Sequence, residues 1–356
     1  PPLIATFHST CVRILREHVR HLGLSPAFVI YDEDDRLTLV KECLRAEEVD
    51  ERALPPAMLV HRISQAKNLM LAHAALEREA RTPRDRQIAL LFGRYQARLA
   101  EVNALDFDDL LLVTVRLFEN VPEVLAWYRG LWKYILVDEY QDTNRPQYRI
   151  VQLLTTEHRN LCVVGDPDQS IYRFRGADLR NILDFEDDFP GCRVVRLEQN
   201  YRSTKRILDI ASSVIANNLG RKAKALWTDN AEGDPAGVYR AWDEHEEAAF
   251  ITHTVQALSD QGTEYRDVAV FYRTNAQSRV LEDALRRTGI PYLIVGGVRF
   301  YERKEIKDTL AYVRLVVNGR DDVAFRRAIG APSRGIGKAS LGRLEEAARL
   351  AGVSLL

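Results

Sequence analysis

The chain has 356 residues, 46% of them hydrophobic and 28% charged, with 50 basic and 51 acidic side chains and a formal net charge of −1 at pH 7. At about 100 to 200 residues per domain it divides into two or three domains. No apolar run approaches the roughly 18 residues of a membrane span, so membrane insertion is not expected, and the near-balance of charge excludes a uniformly basic nucleic-acid coat. The charge is unevenly spread: residues 31–51 carry nine acidic and three basic side chains, residues 61–100 eight basic and three acidic. That asymmetry suits a local basic track for phosphates as well as it suits a solvated helix face. The opening PPLIATFHST has neither the basic nor the long apolar stretch of a secretory signal. Cys11, Cys43, Cys162 and Cys192 form no CxxC and no zinc-ligand spacing, and read as reduced thiols of a cytosolic protein.

In chain order, STCVRILREHVRHL (9–22) places Val12, Leu15 and Val19 at helical spacing behind Ser9 or Thr10 as N-cap. From about Phe28 to Glu101 the chain reads as successive helices with no convincing strand, broken at LPPA and RTPRD, and an all-helical insertion is predicted there. After LDFDDLLLVTVRLF, short apolar runs alternate with helical stretches: KYILV (133–137), LCVVG (161–165), RVVRLE (193–198), VAVFY (268–272) and YLIVGG (292–297). Continuous Val/Ile/Leu runs separated by helices predict an α/β fold with a parallel sheet covered on both faces. The alternation on both sides of about residue 205 suits two similar α/β domains.

In such sheets ligands sit beyond the carboxyl ends of the strands. Several runs end there in polar residues: Asp138-Glu139, Asp166, Asn200-Tyr201-Arg202 and Arg273-Thr274-Asn275. An apolar strand running into two carboxylates suits nucleotide hydrolysis, with Asp138 holding Mg²⁺ and Glu139 polarising a water. Helix capping or a surface ion pair would use the same residues. Gln169, within VVGDPDQSIYRFRGA (163–177), could orient a water or a terminal phosphate oxygen. Tyr172 and Phe174 alternate with Arg173 and Arg175, which presents aromatic faces and cations together for bases and phosphates. Packing on the sheet is the plainer use of either ring. In LEQNYRSTKRI (197–207), Tyr201 could stack on a base and Arg202 is placed to reach a phosphate.

Together with TFHS (6–9), LDFDDLL (105–111), VDEYQDTN (137–144), YRTNAQSR (272–279), FYERKEIKD (300–308) and SRGIG (333–337), these stretches follow the order seen in superfamily 1 DNA helicases. The chain resembles the UvrD, PcrA and Rep group over nearly its whole length. The resemblance implies two RecA-like parallel-sheet motor domains, both incomplete here, with a helical insertion and the start of a helical accessory domain. The first motor domain would comprise 1–26 and 103–200, the insertion 27–102, the first part of the second motor domain 201–320, and the start of the accessory domain 321–356. The implied activity is that of an ATP-dependent helicase or translocase, moving 3′ to 5′ on single-stranded DNA and unwinding duplex in repair or replication. ATP and Mg²⁺ would be its cofactors, single/double-strand junctions its substrate, and the nucleoid region of the cytoplasm its location.

Carried onto this sequence, the resemblance makes Asp138 the Mg²⁺ ligand, Glu139 the general base, Gln169 the γ-phosphate sensor, Tyr201 the adenine platform and Arg202 a γ-phosphate contact. Single-stranded DNA would run over Thr6, Phe7, His8, Tyr172, Phe174, Arg175, Arg273 and Asn275. The backbone of Gly335-Ile336-Gly337 would meet duplex phosphates. Phe174 stands where the group usually has Trp, a smaller stacking face. The group also requires GxxxxGK[ST], and this sequence has none. APSRGIGKAS offers Gly337-Lys338 but has Pro332 at the first glycine position and Ala339 in place of Ser or Thr. The expectation is therefore an internal piece of a longer helicase that needs the rest of that chain for ATPase and unwinding. A noncatalytic single-strand-binding module is the competing reading.

Overall fold

The computed structural model describes residues 2–218, 224–295, 304–332 and 334–356. Ser333, residues 300–303 of FYERKEIKD and residues 296–297 of YLIVGG lie outside the described residues. The chain divides into two compact units, Pro1–Arg196 with Asn218–Lys224 and Asp308–Leu356, and Leu197–Asn217 with Ala225–Lys307.

In the first unit, Thr6 caps α1 (Phe7–His18) by accepting the Ser9 N–H at 3.3 Å, and Cys11, Ile14 and Leu15 turn inward at the helical repeat. β1 (Val29–Tyr31) is followed by α2 (Glu33–Ala46), α3 (Pro56–Asn68), α4 (His73–Glu79) and α5 (Pro83–Glu101). Then β2 (Ala104–Asp106) pairs in parallel with β1, Val29 opposite Ala104 and Tyr31 opposite Asp106. The helices from α2 to α5 are thus one long crossover between adjacent parallel strands. This corrects the expectation of an all-helical insertion, which opens on a strand. Val29-Ile30-Tyr31 is too short to display a period of two, and pairing with a segment far along the chain is what makes it a strand. Around the crossover, Leu39, Leu44, Leu59, Ile63, Leu91 and Leu99 form one core with Tyr31 and Tyr95.

A second core joins α1 to α6 (Phe107–Asn120) and α7 (Pro122–Leu131) through Ile14, Leu15, Leu110, Leu117, Phe118 and Tyr128. β3 (Ile135–Val137) and β4 (Leu161–Val163) pair in parallel across α8 (Arg145–Thr155). The short helices α9 (Arg180–Leu183) and α10 (Phe185–Asp188) bring Ile182 and Phe185 against Val137 and Tyr140.

The two cores meet at a buried carboxylate. Asp106 is fully buried, and accepts from Lys67 Nζ at 2.7 Å and from the Tyr95 hydroxyl at 2.8 Å. Lys67 also lies 2.9 Å from Asp109, and Arg36 lies 3.6 Å from Asp106 and 3.3 Å from Asp108. Burial opposes the charge on Asp106, but Lys67 and Arg36 outweigh it and hold the carboxyl well below the usual range. Burial and the neighbouring Asp106 charge push Asp109 up to about 6. Asp106 and Asp109 also form the capping box that starts α6.

The second unit contains α11 (Lys205–Ile215), α12 (Glu244–Asp260) and α13 (Ser278–Arg287), with α12 packed on α13. Strands were expected at 193–198, 268–272 and 292–297. Among the described residues there, no ladder forms, and one isolated parallel bridge joins Gln199 to Trp227. A strand needs a neighbour for its backbone groups as well as an apolar run. Without that neighbour, Phe271 and Leu293 remain 93% and 87% exposed.

After α14 (Lys304–Val317) come α15 (Asp322–Gly330) and α16 (Lys338–Ala351). Arg314 donates to Asp35 at 2.7 Å and to Asp321 at 3.0 Å, while the Tyr31 hydroxyl donates to the other oxygen of Asp321 at 2.9 Å. Burial, with the Asp321 charge beside it, keeps that hydroxyl far above its ordinary range. Arg314 and Asp321, at the end of α14 and the start of α15, are fastened in this way to the beginning of the insertion.

Lys67→Met would leave two buried carboxylates without their shared cation, and should lower stability by about 3 to 5 kcal/mol. Removing the exposed Arg149–Glu119 pair should cost less than about 1 kcal/mol. Urea midpoints of the two variants against the parent chain check both expectations.

Candidate functional site

Pairing of β3 with β4 sets Val137 level with Val163, so both loops leave the same edge of the sheet. Val164 N donates to Val137 O at 2.8 Å and Tyr140 N to Val164 O at 2.9 Å, which carries the alignment past the strand ends. Asp138 and Glu139 follow β3 directly and are exposed. Asp138 Oδ1 accepts the Glu139 N–H at 2.9 Å. Glu139 has φ of 51°, a left-handed conformation that costs a non-glycine residue about 1 to 2 kcal/mol. The reversal drops the chain into a turn of 3₁₀ helix whose Tyr140 is fully buried.

The loop after β4 is joined to this turn by Gln141. Its Nε2 donates to Glu139 Oε2 at 2.7 Å, and its Oε1 accepts the Asp166 N–H at 2.9 Å. Gln169 is exposed and donates from Nε2 to Asp166 Oδ2 at 2.7 Å, while Lys224 Nζ bonds Asp166 Oδ1 and lies 3.4 Å from Asp168. Burial works against the Asp166 charge, but Lys224 and Gln169 together hold the carboxyl below the usual range, and it is ionised at neutral pH. Burial, then the Glu139 charge, raises Asp142. The structure thus brings Asp138, Glu139 and Gln169 together. Gln141 was not singled out in the sequence.

The loop continues into the aromatic stretch. Tyr172 and Phe174 are 37% and 61% exposed with ring centroids 6.1 Å apart, so two stacking faces lie side by side. The side chain of Arg175 lies outside the described part of the structure. Asp178 N donates to Thr143 O at 3.0 Å, and Asn144, the N-cap of α8, donates to Asn68 at the end of α3 at 2.7 Å. The aromatic loop, the turn after Glu139 and the insertion therefore share one hydrogen-bonded base.

At the start of α1, exposed Thr6 serves as the cap, and Phe7 is half-buried against the cores. His8 sits edge-on to Phe107, ring centroids 5.9 Å apart. Burial lowers the His8 pKa more than Asp108 raises it, so the ring is neutral at pH 7 and offers hydrogen bonds or a stacking face, with no charge. Phe107 is 47% exposed and joins this aromatic surface. Its signal in the sequence was a lone ring at the first position of a helix between two aspartates.

In the second unit, Tyr201 is 78% exposed and donates to Gln199 at 2.6 Å. Asn200 Oδ1 accepts the Arg202 and Ser203 N–H groups at 2.9 and 2.8 Å, which shapes the turn that presents Arg202. Gln277 caps the backbone of Arg273 and Thr274 at 3.0 and 2.9 Å, and leaves exposed Arg273 and Asn275 at the head of α13. In the first unit, Gly335 has φ of 73°, a conformation suited to glycine, and Gly337 is the N-cap of α16 without a side-chain cap. Ile336 between them is 43% exposed.

The donor set suits Mg²⁺ with a nucleotide. Mg²⁺ is commonly bound through one or two carboxylates and substrate phosphates. Asp138, an exposed hard-oxygen ligand at the end of a strand, fits that pattern, and among the described residues no cluster of three or more His, Cys, Asp or Glu competes as a metal site.

Residues 1–190 match the profile of the UvrD/REP helicase N-terminal domain and residues 195–356 that of the UvrD-like helicase C-terminal domain. Over 352 residues, 99% of this chain, it is 46% identical to an ATP-dependent DNA helicase PcrA of Staphylococcus aureus (strain Mu50 / ATCC 700699). It is also 46% identical over 342 residues, 96% of this chain, to the protein of the same name in Staphylococcus epidermidis (strain ATCC 12228 / FDA PCI 1200). The matches cover 48% and 47% of those proteins, so the chain spans about half the length of the curated relatives it matches.

At Gly165 a Cβ would lie 2.6 Å from Gln141 Oε1, 2.8 Å from Ile182 Cδ1 and 3.1 Å from Tyr140 N. Gly165→Ala should therefore destabilise the chain by about 1 to 3 kcal/mol. A denaturant midpoint equal to that of the parent would show that the loop has room the geometry denies.

Proposed function

Because the chain belongs to the UvrD/Rep helicase family, with an α/β fold of RecA-like motor domains, we propose that it works within an ATP-driven motor that moves 3′ to 5′ on single-stranded DNA and opens duplex at single/double-strand junctions. The observation that carries this reading is the exposed Asp138-Glu139 pair on the same sheet edge as Gln169, whose loop runs straight into Tyr172 and Phe174. One side of that loop addresses phosphate chemistry and the other addresses bases.

Mg²⁺ with ATP would supply the polarised terminal phosphate that water attacks. Asp138 is placed to hold the metal, directly or through water. Glu139 takes the proton of the attacking water, and Gln169 senses the terminal phosphate and reports it to the loop that carries Tyr172 and Phe174. Tyr201 stacks on adenine and Arg202 neutralises phosphate charge. Bases stack on Tyr172, Phe174 and the His8–Phe107 surface at about 1 to 3 kcal/mol each, and Arg273 and Asn275 hold the strand from the second motor domain. The exposed backbone at Gly335-Ile336-Gly337 contacts duplex phosphates. The division into 1–26 and 103–200, 27–102, 201–320 and 321–356 belongs to the same proposal, as does a cytoplasmic location at the nucleoid.

The sequence contains no GxxxxGK[ST] to cradle the phosphates. The 356 residues by themselves are therefore a single-strand-binding module, and hydrolysis requires the remainder of a helicase chain. Measured alone, they should show no ATP turnover with or without single-stranded DNA, yet bind it with an affinity that falls as salt rises. In the full-length protein, Glu139→Gln should lower DNA-stimulated hydrolysis by about a hundredfold or more while ATP binding persists. Near-normal turnover in that variant would remove Glu139 from the role of base.

A further inference from the structure

Glu139 and Gln169 sit on different loops, and a buried side chain connects the two loops. Gln141 is 1% exposed, donates to the Glu139 carboxylate and accepts from the backbone of Asp166, the residue that also holds Gln169. The connection is reinforced from the loop side: Ser170 Oγ donates to Gln141 O at 3.4 Å, and the Cβ-free face of Gly165 gives the carboxamide its space. A carboxamide is suited to this place because it donates at one end and accepts at the other. A carboxylate could still accept from Asp166 N but could not donate to Glu139 when ionised. An apolar side chain could do neither.

We propose that Gln141 is a positioning residue for ATP hydrolysis. Its carboxamide sets the orientation of the Glu139 carboxylate and couples it to the 165–170 loop, so that a shift of Tyr172 and Phe174 on binding DNA reaches the base through Gln141. This rests on Glu139 being the base. Glu139 carries a left-handed backbone, so its side chain is aimed by an unusual main-chain conformation, and the Gln141 bond fixes where the exposed carboxylate ends. The charged groups around the pair are Asp138 and Asp142 on its own turn, Asp166 and Asp168 from the facing loop, and Lys224.

The test uses the full-length protein, with ATP turnover measured with and without single-stranded DNA. Gln141→Ala is expected to lower kcat by about a hundredfold, as a misplaced base does, and to leave KM for ATP within about threefold. It should also speed hydrogen exchange at the Asp166 amide while protection of the α1 and α6 core is kept. Gln141→Glu retains the acceptor for Asp166 but sets a second carboxylate against Glu139. With the bond to Glu139 lost, it should lower kcat as Gln141→Ala does, again with KM for ATP within about threefold. Parental kcat in both variants would overturn the proposal. So would a loss of kcat accompanied by global loss of protection in both variants, which would make Gln141 merely structural. Glu139→Gln separates the two levels: if it hydrolyses ATP normally the base assignment falls, and if it is inactive while both Gln141 variants match the parent, only the role of Gln141 falls.

Discussion

Asp106 is a carboxylate with no solvent exposure, and it keeps its charge because Lys67 from α3, Arg36 from α2 and the Tyr95 hydroxyl from α5 converge on it. Such a group is costly unless every partner is in place. The helical insertion must therefore dock in one arrangement on the β2–α6 junction. The same residue ends the strand that pairs with β1 and caps the helix that starts with Phe107. Register, helix start and the placement of an exposed aromatic beside His8 all follow from one buried charge and its counter-ions.

A second set of bonds does for the strand ends what Asp106 does for the insertion. Parallel pairing of β3 and β4 sets the loops level, but pairing alone leaves loops free to differ. Gln141 removes that freedom by accepting the Asp166 N–H on its side chain across the gap, and the Thr143 carbonyl accepts the Asp178 N–H. The insertion enters the same network through Asn68 and Asn144. Under the proposed function this has a use, because a loop proposed to carry both a phosphate-sensing amide and base-stacking rings must transmit small displacements without slack.

The family was readable in the sequence because its motifs sit in contiguous stretches. An apolar run ending in Asp138-Glu139, and rings alternating with arginines at 172–175, announce themselves by local pattern, and the order of such stretches identified the family. What local pattern could not show was contact between distant residues. β1 is a strand because of β2. Gln141 matters because of a loop that follows a whole helix later, and Phe107 because His8 lies against it. The runs at 193–198, 268–272 and 292–295 show the converse: their composition suits strands, yet the described residues give them no ladder. Phe7, read as a DNA contact from its motif, spends much of its surface on the cores.

If nucleotide chemistry and DNA binding share one mechanical loop, binding of one ligand must alter binding of the other. Two ligands coupled through one element must change each other's affinity by the same factor. The affinity of the full-length protein for single-stranded DNA should be measured at constant salt with and without a saturating, non-hydrolysable ATP analogue, and the affinity for the analogue with and without DNA. Each ligand should change the other's affinity by the same factor, about fivefold or more, and Gln141→Ala should shrink that factor. Identical DNA affinity in the presence and absence of the analogue would contradict the coupling.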